Sequence, residues 1–239
     1  MIAGLAFTRY AWAAMSEIAA NIASVRARMK AAVGRAGRDP ASVRLIGASA
    51  AFKGVTVEQM QAAMDAGLRD FGENRVQEAE AHIEALGGRA DEATWHLIGH
   101  LQTNKAKEAL ECFDILQTID SLRLAKQLST RATSPVRILL EVNVAGETSK
   151  FGFAPSEVAE AVAAIRPLAN IEVAGLMTIA PQVTDPELVR PYFRQLRDLA
   201  AAHGLAELSM GMTEDFEVAI EEGATMIRVG RAIFGERPL

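Results

Sequence analysis

Cysteine is nearly absent from this chain: one residue, Cys112, in 239. A lone thiol excludes an internal disulfide and fits a reducing compartment, so a cytoplasmic location is expected. Cys112 lies in an apolar context and reads as a small buried hydrophobe rather than a nucleophile. Runs of Lys or Arg are also missing, and the net charge is −5. The electrostatic attraction that drives nucleic-acid binding is therefore not built in, and no nucleic-acid partner is expected. No stretch rich in Pro, Gly or Ser divides the chain, and nothing repeats beyond an alternation of strand and helix patterns.

Long hydrophobic runs are lacking as well. Residues 1–14, MIAGLAFTRYAWAA, are apolar but too short to span a bilayer, and Arg9 interrupts them. No basic residue precedes the apolar run, which is the wrong charge order for a secretory signal. Met15-Ser16-Glu17 then opens an amphipathic helix, with Ser16 as its expected N-cap. Translation is expected to start at Met15, leaving residues 1–14 as an extension ahead of a domain over 15–239. No membrane partner is expected.

What the chain does have is apolar bulk, with half its residues hydrophobic. Its length matches the usual size of one α/β barrel, roughly 250 residues. Strands are expected at 43–49, 69–72, 95–98, 114–118, 136–144, 171–178, 207–210 and 225–229. Helical patterns separate them, at about 56–66, 74–86, 103–111, 121–131, 155–166, 186–203 and 213–222. Continuously apolar strands divided by helices argue for a parallel sheet buried on both faces, and eight of them argue for closure. The expected fold is a single (β/α)8 TIM-type barrel with an extra N-terminal helix and no second domain. Only about ten residues follow the eighth strand, so the usual last helix is expected to be missing and the N-terminal helix to fill its place.

Chemistry in such barrels sits at the C-terminal ends of the strands. Those ends carry small or polar residues here, with no carboxylate pair, no metal-spaced His/Cys/Asp cluster and no GxSxG elbow. His96 and His100 straddle a strand end instead of sharing a helix face, so no metal is expected. Glu73-Asn74 opens a helix, where capping is the simple reading. The segment Ser209 to Gly230, SMGMTEDFEVAIEEGATMIRVG, is more specific. It reads as strand, small-residue turn, helix, strand and second small-residue turn, the layout of a phosphate cup. Gly211 would let the backbone approach an anion and Thr213 would cap the following helix, whose first N–H groups point outward. Gly230 marks the second turn, and Arg228 brings positive charge. The competing reading is an ordinary helix between two strands, with Glu214 and Asp215 complementing its dipole.

FGENRVQEA (71–79), WHLIGHLQTNK (95–105), EVNVAGETSKFGF (141–153), GLMTIAP (175–181), LSMGMTEDFEVAI (208–220) and GATMIRVGRAIFGERP (223–238) together resemble the pyridoxal-phosphate homeostasis proteins of the YggS/PROSC type. The resemblance implies the alanine racemase N-terminal barrel without that enzyme's second domain. It implies binding, buffering and delivery of pyridoxal 5'-phosphate, without catalytic turnover and with transient contact with cofactor-requiring apo-enzymes; the absence of a dimerising second domain leads to the expectation of a monomer. By resemblance, Ser209, Gly211, Met212, Thr213, Arg228 and Gly230 hold the phosphate, while Asn74 and Met177 line the ring pocket. Lys150 and Asn104-Lys105 match positions near the mouth. The family has Ser where this chain has Thr213, a change that keeps the hydroxyl.

The departure lies at the end of the first strand. The family carries a Ser-Lys-Thr segment whose lysine forms a Schiff base with the cofactor aldehyde. Here the residues are Ser49, Ala50 and Ala51. Lys53 follows Ala50 by about 10 Å of extended chain and on the other face. Binding would then be non-covalent, with phosphate or sulfate as possible occupants of the cup. Two other readings stay open: a barrel for another phosphorylated metabolite, and a racemase-like enzyme, which would need the lysine this chain lacks.

Overall fold

The computed structural model describes residues 3–49, 55–148 and 150–235, without the side chains of 3–15. Ala50, Ala51 and Lys53 therefore lie outside the described residues. Eight parallel strands, β1 (Arg44–Ala48), β2 (Asp70–Glu73), β3 (Thr94–Leu97), β4 (Ile115–Ile119), β5 (Val136–Glu141), β6 (Ile171–Met177), β7 (Glu207–Ser209) and β8 (Met226–Val229), pair in chain order. The last returns to the first, Ile46 opposite Arg228, and closes the barrel.

The strands fall close to their expected positions, and β5 departs most. Its ladder stops at Glu141 instead of residue 144, because Asn143 folds the chain into a turn. The Asn143 carboxamide accepts from the Glu147 N–H and donates to the Glu147 carbonyl, the local bonding that makes Asn a turn residue.

The helices are α1 (Ala3–Arg35), α2 (Val57–Asp65), α3 (Val76–Leu86), α4 (Ala106–Cys112), α5 (Leu122–Arg131), α6 (Val158–Ile165), α7 (Arg190–Ala202), α8 (Phe216–Glu221) and α9 (Arg231–Phe234). Thr56 and Gln59 form a capping box on α2, and Ser121 caps α5, each satisfying an orphan N–H. The expected cap at Ser16 is not found. The Ala-rich stretch before it favours helix, so α1 begins at Ala3 and Ser16 lies inside it. A last helix does exist, as the single turn α9. As expected, α1 fills the outer ring, packing against α2, α8 and α9.

Two apolar layers result. The larger lies between strands and helices and includes Phe71, Phe193 and Phe216, all fully buried. Inside the barrel, Ile46, Ile115, Leu139, Met177 and Met226 form a small separate cluster. Among the described residues, no helix is long and apolar enough to cross a membrane.

Candidate functional site

A cleft of about 680 Å³ opens at the C-terminal ends of the strands. Asn74 reaches it from the end of β2, and Met212, Thr213, Arg228 and Gly230 from the turns around β7 and β8. Five of the sequence-derived residues are thus brought to one wall. Ile179, Pro181, Val183 and Pro186, in the segment after β6, form an apolar wall that the sequence reading did not assign. The signal was present in GLMTIAP, whose last residues follow a strand end, the place where barrel sites are built.

Other expected residues lie elsewhere. Ser209 is fully buried beneath the cleft, its hydroxyl accepting from Arg228 Nη1 (2.7 Å) and donating to Gln117 Oε1 (2.6 Å). Met177 belongs to the inner cluster rather than the cleft wall. Gly211 has φ +91, and a Cβ there would stand 2.5 Å from the Ala219 Cβ. Its missing side chain lets α8 sit against β7, and the positive φ turns the chain. Thr213 does not cap α8, because the helix starts later, with Asp215 at the N-cap position. Asp215 instead accepts from the Met212 N–H (2.6 Å), which tightens the turn below the cleft. Glu73 and Asn74 are not the cap of α3 either, since Arg75 holds that place.

Arg228 forms the electrostatic centre. It is buried, with Nη2 donating to the Thr178 carbonyl (2.8 Å) in addition to the Ser209 contact. Burial lowers its pKa to about 10, against the pull of Asp215 and Glu141. Burial pushes Glu141 up to about 7, helped by the Asp120 carboxylate and opposed by Arg228. Asp215 is also raised by burial, opposed by its Met212 bond and by Arg228. At the rim, Arg231 pairs with Glu214 (2.9 Å). A cation is therefore held where an entering anion would meet it, with flanking carboxylates that resist ionisation.

The mouth residues separate. Lys150 is tied to Glu147 Oε1 (2.7 Å) and to the Ile179 and Ala180 carbonyls, so it straps its loop to the end of β6. Asn104 lines a different cleft with His100 and Asp120, and Lys105 pairs with Glu108. His100 stacks on Phe151 at 3.9 Å between centroids. Among the described residues, no group of three His, Cys, Asp or Glu side chains is placed to hold a metal. Cys112 is half-buried with its thiol pushed up to about 11, first by burial, so it is protonated at neutral pH.

Residues 14–238 match the alanine racemase N-terminal domain family. The chain is 41% identical to a Pseudomonas aeruginosa protein named pyridoxal phosphate homeostasis protein, over 93% of this chain and 97% of that one. The chain belongs to the pyridoxal phosphate homeostasis protein family. A relative of the same name from Aquifex aeolicus is 43% identical over 91% of this chain and 97% of its own. The structure of PipY from Synechococcus elongatus with PLP bound superposes with a TM-score of 0.77 at 35% identity, covering 91% of this chain and all of that one (100%).

Proposed function

We propose that this homeostasis-family barrel binds pyridoxal 5'-phosphate in the cleft without a covalent bond and passes it to cytoplasmic apo-enzymes, with no turnover of its own. The observation that carries this reading is the meeting of the turns after β7 and β8 with Arg228 in one cleft, in a protein whose relatives bear the cofactor's name. The cleft volume lies in the range of small-molecule sites, about 300–1,000 Å³. Its walls suit the cofactor's two ends. The Thr213 and Glu214 N–H groups between the internally bonded Met212 and Asp215, with Gly230 and the Arg228 charge, would hold the phosphate, since N–H groups ahead of a first helical bond have no partner within the helix. Asn74 and the apolar residues after β6 would flank the ring.

When bound, the cofactor supplies an aldehyde that a recipient's lysine can take. Ala50 offers no amine at the position where the family carries one, and no lysine is among the described residues of the cleft wall. Retention then rests on phosphate and ring contacts, which favours transfer over storage. A racemase would need a lysine and a second-domain partner.

Titration of this chain and of Ala50→Lys with pyridoxal 5'-phosphate, followed by borohydride reduction and mass mapping, tests the reading. Binding by both with labelling of the variant alone, at position 50, is the expected result. Labelling of the parent at Lys53 or Lys150 would overturn the non-covalent part. If neither protein binds, the cofactor reading falls and another phosphorylated metabolite takes its place.

A further inference from the structure

A hydrogen-bond chain runs through the barrel interior, from the cleft to the opposite end. Arg228 Nη1 meets Ser209 Oγ at 2.7 Å, Ser209 Oγ meets Gln117 Oε1 at 2.6 Å, Gln117 Nε2 meets His96 Nδ1 at 2.9 Å, and His96 Nε2 meets Asp70 Oδ1 at 3.0 Å. Ser209, Gln117 and His96 are fully buried. At the far end Arg44 lies 3.8 Å from Asp70 and is held in turn by Glu207 (2.7 Å).

Elementary donor and acceptor chemistry gives this chain one direction. A guanidinium only donates, so the Ser209 oxygen accepts from Arg228, and the one acceptor that its buried proton meets among the described residues is Gln117 Oε1. That contact fixes the amide orientation and turns Nε2, which only donates, toward His96. Nδ1 of His96 must then be bare, and the ring hydrogen sits on Nε2, facing Asp70. Every link donates toward Asp70, and none of the four contacts can be reversed alone without facing two donors or two acceptors.

We propose that Ser209, Gln117, His96 and Asp70 are positioning residues for Arg228, a one-directional chain that fixes where the guanidinium sits at the cleft floor. A barrel interior can be filled with apolar side chains alone. Here a row of inward polar residues, one from each of β2, β3, β4 and β7, instead leads to the cation of the proposed anion site. The chain deepens the pyridoxal 5'-phosphate reading where it concerns affinity, but its geometry does not depend on that ligand.

The test uses the full chain labelled with nitrogen-15 in His and Arg. Asn places its carboxamide oxygen near the His Nδ1 position and Gln places its nitrogen near Nε2, so His96→Asn keeps the link to Gln117 while His96→Gln breaks it. In the unliganded parent, the His96 imidazole is expected as the Nε2–H tautomer with restricted Arg228 guanidinium resonances. His96→Gln should average those resonances and His96→Asn should preserve them. In titration with pyridoxal 5'-phosphate, loss of a buried bond in a chain ending on a charged group should weaken His96→Gln by roughly tenfold, several times more than His96→Asn. Ser209→Ala, which cuts the chain beside Arg228 with little change of volume, should also average the resonances and serves if a His96 variant fails to fold. The opposite tautomer, or equal effects of the Asn and Gln variants, would overturn the proposal by showing mere space-filling. Absence of cofactor binding in the parent would overturn the ligand reading instead, with the tautomer and guanidinium signals still deciding the chain.

Discussion

His82 and His96 stand on opposite sides of the same barrel wall, and their partners give them different protonation patterns. On the outer side, His82 Nδ1 faces the Glu73 carboxylate (2.8 Å) and Nε2 faces the Val55 carbonyl (3.2 Å). Both partners only accept, so the doubly protonated ring satisfies both, and the Glu73 hydrogen bond raises the His82 pKa against burial. On the inner side, His96 has one accepting and one donating partner, Asp70 and Gln117, which a single ring hydrogen satisfies. Burial alone does not set the state. The chemistry of the facing atoms does: the outer ring meets two acceptors, and the inner ring meets one acceptor and one donor.

Cutting the inner relay should have the largest effect. Gln117→Leu keeps volume but strands the Ser209 hydroxyl and the His96 Nδ1 in a fully buried interior. Unsatisfied buried groups cost about 1–3 kcal/mol each, so a loss of roughly 3 kcal/mol is expected in denaturant unfolding. A loss below about 1 kcal/mol would mean that water or rearrangement satisfies both groups and that the two histidines differ less than their contacts suggest.

Glu141 sharpens the contrast from a third position, a buried carboxylate with no hydrogen-bond partner among the described residues. Its pKa near 7 results first from burial, then from Asp120, and lies above an unfolded value of about 4.3. Between those values the folded state keeps a proton that the unfolded state loses, so stability falls as pH rises through that window. Glu141→Gln should remove that slope and stabilise the protein above pH 7, by up to about 3 kcal/mol. Unfolding curves at pH 5 and 8 check it. Equal effects at both pH values would place the carboxylate in a solvated setting.

The eight strands were legible because buried strands are apolar runs of a few residues, and each fell within a few residues of its place. The strand–turn–helix–strand layout of 209–230 was legible because Gly, Ser and Thr punctuate strands and helices. The relay was not. Asp70, His96, Gln117, Ser209 and Arg228 come together only when β7 and β8 close the ring, a contact spanning up to 92 residues between Gln117 and Ser209. Its trace in sequence was a polar residue inside apolar strands, as in WHLI and DILQT, and alternation puts such residues on one face without saying what they meet. The cap expected at Thr213 was misplaced for a related reason, since the helix start depends on Asp215 reaching back to Met212. A glycine after a strand serves an anion and a close-packed helix equally well, and the 2.5 Å approach to Ala219 adds the second role at Gly211.

The smallest predicted effect tests the outer histidine. The His82 pKa is raised, first by the Glu73 hydrogen bond, against burial. A folded pKa above the unfolded value, about 6.5, means that the stabilisation is fully present below that pH and is lost as pH rises through the folded value. Unfolding between pH 6 and 9 should show a decline of roughly 1 kcal/mol from this pair. Glu73→Gln keeps an acceptor for both Ser49 and His82 but removes the charge, so it should flatten the decline and move the His82 NMR titration downward. Replacing His96 should leave the His82 titration where it was, since their hydrogen-bond partners are not shared. A shift of the His82 titration on replacing His96 would show that the wall between them transmits charge, and the separation of the outer pair from the inner relay would fail.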